Sequence, residues 1–155
     1  MTVPRAITIA TVEEELPGVK AYAERHGWTV TWDPEGLRLI FEGLHPNNQR
    51  ALRIIAAVDG YRALPPSWAF EDATTGTPCL PKRGTVAGKQ SIFYKGCGIC
   101  APFNRRAYKE HGGPHGNWSG PESWLNVHGY ARAIRLADMF ALIVGHLKAS
   151  PGTEP

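Results

Sequence analysis

Long apolar runs are missing from this sequence. No stretch approaches the roughly 18 residues needed to cross a bilayer as a helix, which excludes a helical membrane protein. Cysteine is scarce: three are present. An odd and small number reads against the paired disulfide framework of a small secreted domain. The thiols therefore read as free, metal-bound or catalytic in a reducing, cytoplasmic compartment. A dominant charge is missing too. The formal net charge is +3 and no Lys/Arg run reaches four residues, so bulk electrostatics points to neither nucleic acid nor a membrane surface. Neither a G-x-G-x-x-G nor a P-loop motif occurs, which leaves nucleotide binding without sequence support. Internal repeats and low-complexity tracts are absent as well. Met1–Ala10 carries a single Arg and no long apolar run, which reads against a secretory leader.

What is present is an ordinary globular balance, 43% hydrophobic and 20% charged over 155 residues. That is enough chain to bury a core without cross-links. We expect one domain over residues 1–149 and a flexible tail at 150–155. Thr11, Val12, Glu13 and Glu14 have capping-box form, a hydroxyl followed three residues later by a carboxylate. With Gly27 as a stop, they predict a helix over 12–26 whose buried face holds Leu16, Val19 and Ala23. Alternation at Trp28, Val30 and Trp32, at Leu37, Leu39 and Phe41, and at Leu52, Ile54, Ala56 and Val58 predicts three strands. Turns at Asp33–Gly36 and His45–Asn48 join them into an antiparallel meander. Trp68 and Phe70 predict a short fourth strand after Pro65 and Pro66. A last helix is expected from Tyr130 to Lys148, with Tyr130, Ile134, Ala137, Ala141, Val144 and Leu147 on one face. Strands grouped between terminal helices give an α+β fold.

Residues 72–121 are the unusual part: rich in Gly and Pro, and holding all three cysteines. Their aromatics (Phe93, Tyr94, Phe103, Tyr108, Trp118) argue for order, and a long ordered irregular segment is commonly functional. Cys97-Gly98-Ile99-Cys100 is its sharpest motif, and three chemistries fit it. Zinc is one, through Cys79, Cys97, Cys100 and His111 or His115. A redox dithiol is the second, although the βαβ context of such motifs is missing. The third is a single catalytic thiol. Pro102 is placed to open a short helix through Glu110, so Cys100 would sit at a positive helix end that favours thiolate, aided by Arg105 and Arg106. Asn104 and His115 then offer a hydrogen-bond donor and a general base. The plainer alternative for Cys100 is a small buried apolar residue. His45-Pro46-Asn47 lies between strands, far upstream of Cys100, and reads as a turn.

In element order and local motif the chain resembles the ubiquitin-conjugating enzyme superfamily, specifically its divergent bacterial members. Tyr61, Pro65, Pro66 and Phe70 match a Tyr-x-x-x-Pro-Pro-x-x-x-Phe element. Gly98-Ile99-Cys100 looks like the segment that delivers the active-site thiol. Trp118-Ser119-Gly120-Pro121 looks like a Trp-Ser-x-Pro segment, and the resemblance spans about residues 11–148. The family's His-Pro-Asn tripeptide before the cysteine has no counterpart in Ile92 to Ile99. Asn104, Arg105 and Tyr108 with His115 look instead like the pattern that some bacterial relatives carry after theirs.

The resemblance implies a UBC-like fold. It implies an enzyme that carries a ubiquitin-like modifier as a thioester on Cys100 and passes it to an amine, within a bacterial conjugation system of the antiphage kind. Asn104 and His115 would then be oxyanion or orienting groups, with Tyr108 and Arg105 behind them. The implied partners are an activating enzyme, the modifier and a protein substrate, with no nucleic acid, membrane or cofactor. Two other classes fit the same residues: a non-catalytic binding module of the same fold, and a zinc-stabilised domain or Cys/His hydrolase.

Overall fold

The computed structural model describes residues 3–129 and 131–154, Glu110 by its backbone alone. The chain is α+β: an N-terminal helix, a four-stranded antiparallel sheet, an irregular segment, and a C-terminal helix. Helix α1 spans Arg5–Arg25 and buries Thr8, Val12, Val19 and Ala23, positions spaced four, seven and four apart so that they share one stripe. It starts seven residues earlier than the capping box predicts. Thr11 lies inside the helix, and its hydroxyl donates to the Ile7 carbonyl at 2.8 Å instead of capping an end. Pro4 is the N-cap and Pro17 is an interior residue, which removes one helical hydrogen bond.

Strands β1 (Thr29–Asp33), β2 (Arg38–Leu44), β3 (Ala51–Ala57) and β4 (Ser67–Asp72) pair in sequence order. The predicted alternation sets the register. Leu39 lies opposite Ala56 and Ala56 opposite Trp68, while Phe41 lies opposite Ile54 and Ile54 opposite Phe70, so one face is apolar up to its edge, where Asp72 lies opposite Leu52. On the other face Arg53 bridges Glu42 (3.1 Å) and Glu71 (3.0 Å) across three strands. Gly43 is required where it stands, because a Cβ there would lie 2.5 Å from the Trp28 ring.

Helix α2 spans Leu136–Ala149 and covers the apolar face. Phe140 stacks on Phe41 with ring centroids 4.1 Å apart and meets Trp28 edge-on. Burial of such a ring contributes about 2–3 kcal/mol. The helix begins later than predicted. Tyr130 lies outside the described residues, Ala131 takes a left-handed φ of 64° and Arg135 is extended. Its buried face also differs from the expected one: Leu136, Met139, Phe140, Ile143, Val144, His146 and Leu147 point inward, while Ile134, Ala137 and Ala141 are half-buried. A segment apolar almost all round carries little periodicity from which to choose a face. Glu15 of α1 joins the two helices: one carboxylate oxygen accepts from the Leu136 amide (2.7 Å) and the other from the Tyr61 hydroxyl (2.8 Å).

The segment expected to be a loose tail is tied down through residue 154. His45 Nε2 meets Ser150 Oγ at 3.0 Å, Asn47 donates to the Lys148 and Ser150 carbonyls, and Thr153 bridges to Pro81. Composition shows the tail's polarity and hides these partners, which lie far away along the chain. Among the described residues no helix is long and apolar enough to cross a membrane.

Candidate active site

The irregular segment opens with two short hairpins. The first joins β5 (Thr85–Val86) to β6 (Lys89–Gln90), and the second joins β7 (Phe93–Tyr94) to β8 (Gly98–Ile99). Cys100 follows β8 directly. Its amide donates to the Ile92 carbonyl at 2.7 Å, and the Ile92 amide donates to Nδ1 of His146 on α2 at 3.3 Å. The backbone at the thiol is thus anchored through two hydrogen bonds to a buried helix.

Asn104 holds the loop from the other side. It is 0% exposed. Its Nδ2 donates to the Cys97 and Ile99 carbonyls (3.2 and 2.8 Å), and its Oδ1 accepts from the Trp68 and Arg106 amides (3.0 and 3.3 Å). Both donor hydrogens are engaged, so this side chain has none to offer an oxyanion. It shapes the cysteine loop instead. Arg105 also faces away from the thiol: its Nη1 pairs with Asp59 at 3.0 Å, and its Nε and amide donate to the Pro65 and Pro66 carbonyls. Tyr108 is buried, with its hydroxyl donating to the Pro102 carbonyl at 2.8 Å; burial pushes its ionisation well above the ordinary phenol range.

His115 alone among the predicted partners reaches the thiol. Its Nε2 lies 2.5 Å from Cys100 Sγ. Local structure delivers it there. Two 3₁₀ turns, Arg105–Ala107 and Lys109–His111, replace the α-helix expected over 102–110. The chain reverses at Gly112, which has a left-handed φ of 83° that suits glycine. It then returns beside Tyr108, with the His115 amide donating to the Ala107 carbonyl at 3.1 Å. The return is so close that a Cβ on Gly113 would lie 2.1 Å from the Ala107 carbonyl carbon. A β-turn over 115–118, closed by the Trp118 amide on the His115 carbonyl (3.2 Å), folds the indole onto the imidazole. The two rings are 3.8 Å apart and 3° from parallel.

The electrostatics differ from the helix-end expectation. No α-helix begins at Pro102, so no helix dipole bears on Cys100. Burial pushes its thiol pKa up, opposed by the charge of Arg83. Burial pushes His115 down. Burial thus disfavours the charged form of each partner. Arg83, which sequence reasoning missed, comes from outside the loop; its Nη1 donates to Gln90 at 2.8 Å and its guanidinium lies over the Tyr94 ring.

Cys97 is 1% exposed and donates to the Ile99 carbonyl at 3.3 Å. Burial lifts its pKa to about 11, with the neighbouring Cys100 adding to the rise. Cys79 and Cys97 line one pocket of about 230 Å³ with Arg106, whereas Cys100 faces His115 and His111 is exposed. All three cysteines are free thiols. Among the described residues no group of three or more His, Cys, Asp or Glu is placed to hold a metal, so the set Cys79, Cys97, Cys100 and His111 is not assembled. The remaining three histidines stand elsewhere: His26 stacks on Tyr22, His45 is buried in the turn that anchors Ser150, and His128 is exposed.

A thiol in contact with a base can open acyl-transfer chemistry: the sulfur attacks a carbonyl as its proton passes to nitrogen. No family model, no curated protein and no solved structure matches this chain.

Proposed function

We propose that this chain is a ubiquitin-conjugating-like acyltransferase. Cys100 attacks the thioester that joins a ubiquitin-like modifier to its activating enzyme. The Cys100 proton moves to His115 Nε2, a new sulfur–carbon bond forms, and the activating enzyme's thiolate leaves and recovers the proton. An amine on the protein substrate then attacks the carried acyl group, the amide forms, and the Cys100 thiolate departs and is reprotonated. The observation that carries this reading is the 2.5 Å contact between Cys100 Sγ and His115 Nε2 on a half-buried loop. The order of elements supports it: helix, meander, Tyr61 and the proline pair, cysteine loop, closing helix. A bacterial, antiphage conjugation system is the setting this reading implies.

The test supplies the chain with a ubiquitin-like protein charged as a thioester on its activating enzyme. The wild type should form an adduct that thiol reductants release, and Cys100→Ser should form a stable oxyester. No adduct on either protein ends the proposal. The same contact favours a second reading, a Cys/His hydrolase, since the base is already seated on the nucleophile. A hydrolase would release free modifier from a preformed conjugate, where a carrier would hold it.

A further inference from the structure

In nucleophile–base pairs the second nitrogen of the base is ordinarily held by a third group. Among the described residues nothing hydrogen-bonds His115 Nδ1, yet Nε2 points at Cys100. The backbone around it contains Gly112, Gly113 and Gly116, which restrain a ring poorly. The Trp118 indole covers the imidazole face to face at 3.8 Å. Tyr108 backs the indole at 5.1 Å and is itself pinned to Pro102. We infer that Trp118 is the positioning residue of the Cys100–His115 pair: its stacked indole, where a hydrogen-bonding carboxylate or amide would be expected, fixes the plane of the base and shelters the imidazolium formed during attack.

The chemistry agrees with the geometry. When Cys100 reacts, the S–H bond breaks, its electron pair stays on sulfur and the proton moves to Nε2. A cation then forms directly beneath an indole face, which attracts it. The charged groups that bear on this assembly are Arg83 on Cys100, Lys109 packed against Gly116 and Glu122 beside Tyr108; among the described residues none hydrogen-bonds the imidazole. The inference rests on the reading of Cys100 as nucleophile and His115 as proton acceptor, whatever acyl group is carried.

Alkylation of Cys100 by iodoacetamide tests it in the full chain, followed from pH 5 to 9 by peptide mass. Sulfur attacks the methylene, iodide leaves and the proton passes through His115 to solvent. Against wild type, His115→Ala should slow the reaction at pH 7 by about a hundredfold, leaving a rate that rises only with ordinary thiol ionisation. Trp118→Leu should move the pH profile most of the way to that limit, losing about tenfold, while Trp118→Phe, which keeps a stacking ring, should stay within about threefold. A wild-type profile in Trp118→Leu overturns the inference, as does an equal loss in Trp118→Phe and Trp118→Leu. If His115→Ala itself reacts like wild type, the proton-acceptor reading falls as well. Should the leucine variant misfold, NMR of the wild type decides: His115 ring protons must be shifted upfield and show cross-peaks to the indole before and after alkylation, and unshifted signals without them overturn the inference.

Discussion

Among the described residues, His45 and His115 each touch a group that can act as a nucleophile, and the two pairs are arranged differently. At the end of β2 His45 meets Ser150 Oγ at 3.0 Å. Its Nδ1 accepts from the Asn47 amide at 3.1 Å, and the Ser150 hydroxyl donates to the Gly152 carbonyl at 2.8 Å. Nε2 must therefore donate to Ser150, and no lone pair remains to take a proton from it. His115 is the opposite case: its Nε2 faces a thiol, and no hydrogen bond at Nδ1 fixes it as a donor among the described residues. The difference lies in how many ring atoms the surroundings have already used, and the distance between partners does not reveal it. His45 is fully buried and holds the C-terminal segment; Cys100 is half-buried and offers a sulfur.

The comparison can be broken from below. Asn104→Ala removes four hydrogen bonds at a buried position, taking one partner from each of two loop carbonyls and two amides. We expect a loss of about 3–4 kcal/mol in urea unfolding, with Cys100 reactivity disturbed only because its loop is. A loss under about 1 kcal/mol would remove Asn104 as the loop's organiser. The next test moves the thiol. Ser150→Cys in a Cys100→Ala background places sulfur beside His45, and alkylation there should run about a hundredfold slower than at Cys100, since that histidine has no free acceptor. A fast reaction would erase the distinction drawn above.

His45→Ala should cost about 2 kcal/mol by denaturant titration and leave the alkylation rate of Cys100 unchanged. A change in that rate would join two regions held here to be separate. Acid titration gives a smaller and more graded effect. Burial lowers the pKa of His45, His115 and His146 from an ordinary value of 6.5, so the unfolded chain takes up protons first. Their contribution is complete above pH 6.5 and is lost as pH falls from there toward the lowered folded values. A second decline follows below pH 3.8, where Asp72, held at about 2 by Arg50 and the Thr75 and Thr74 amides, becomes protonated. Unfolding midpoints flat between pH 7 and 5 would contradict the first step. The smallest effect is expected at the surface: Arg38→Ala, which breaks an exposed pair with Asp33, should leave the midpoint unmoved.

The strands were legible because alternation at Leu39 and Phe41, or at Leu52 and Ile54, has one physical meaning on a sheet with a single covered face. The helix limits were less so. Thr11 satisfies a capping pattern that a helix already under way simply absorbs, and Leu136–Ala149 is apolar on too many sides to declare its inner face. At the candidate site the sequence put His115 forward as one of several partners for Cys100, since a sharp return through Gly112 and Gly113 leaves no periodic trace that would single it out. It offered Asn104 as a donor because type and proximity suggest that role, and only the carbonyls of Cys97 and Ile99 reveal that its hydrogens are spent. Trp118, three residues beyond His115 in a glycine-rich loop, was the available sign of a stacked base, and it passed as part of a Trp-Ser-x-Pro resemblance.

The close return of residue 113 past the Ala107 carbonyl makes the reactive pair depend on a residue that contributes no functional group. Swapping Gly113 for alanine adds one methyl, alters no reactive atom, and must force the returning chain away from its neighbour. The approach of nitrogen to sulfur thus leans on a position two residues before the histidine that carries hydrogen where any other residue would carry carbon.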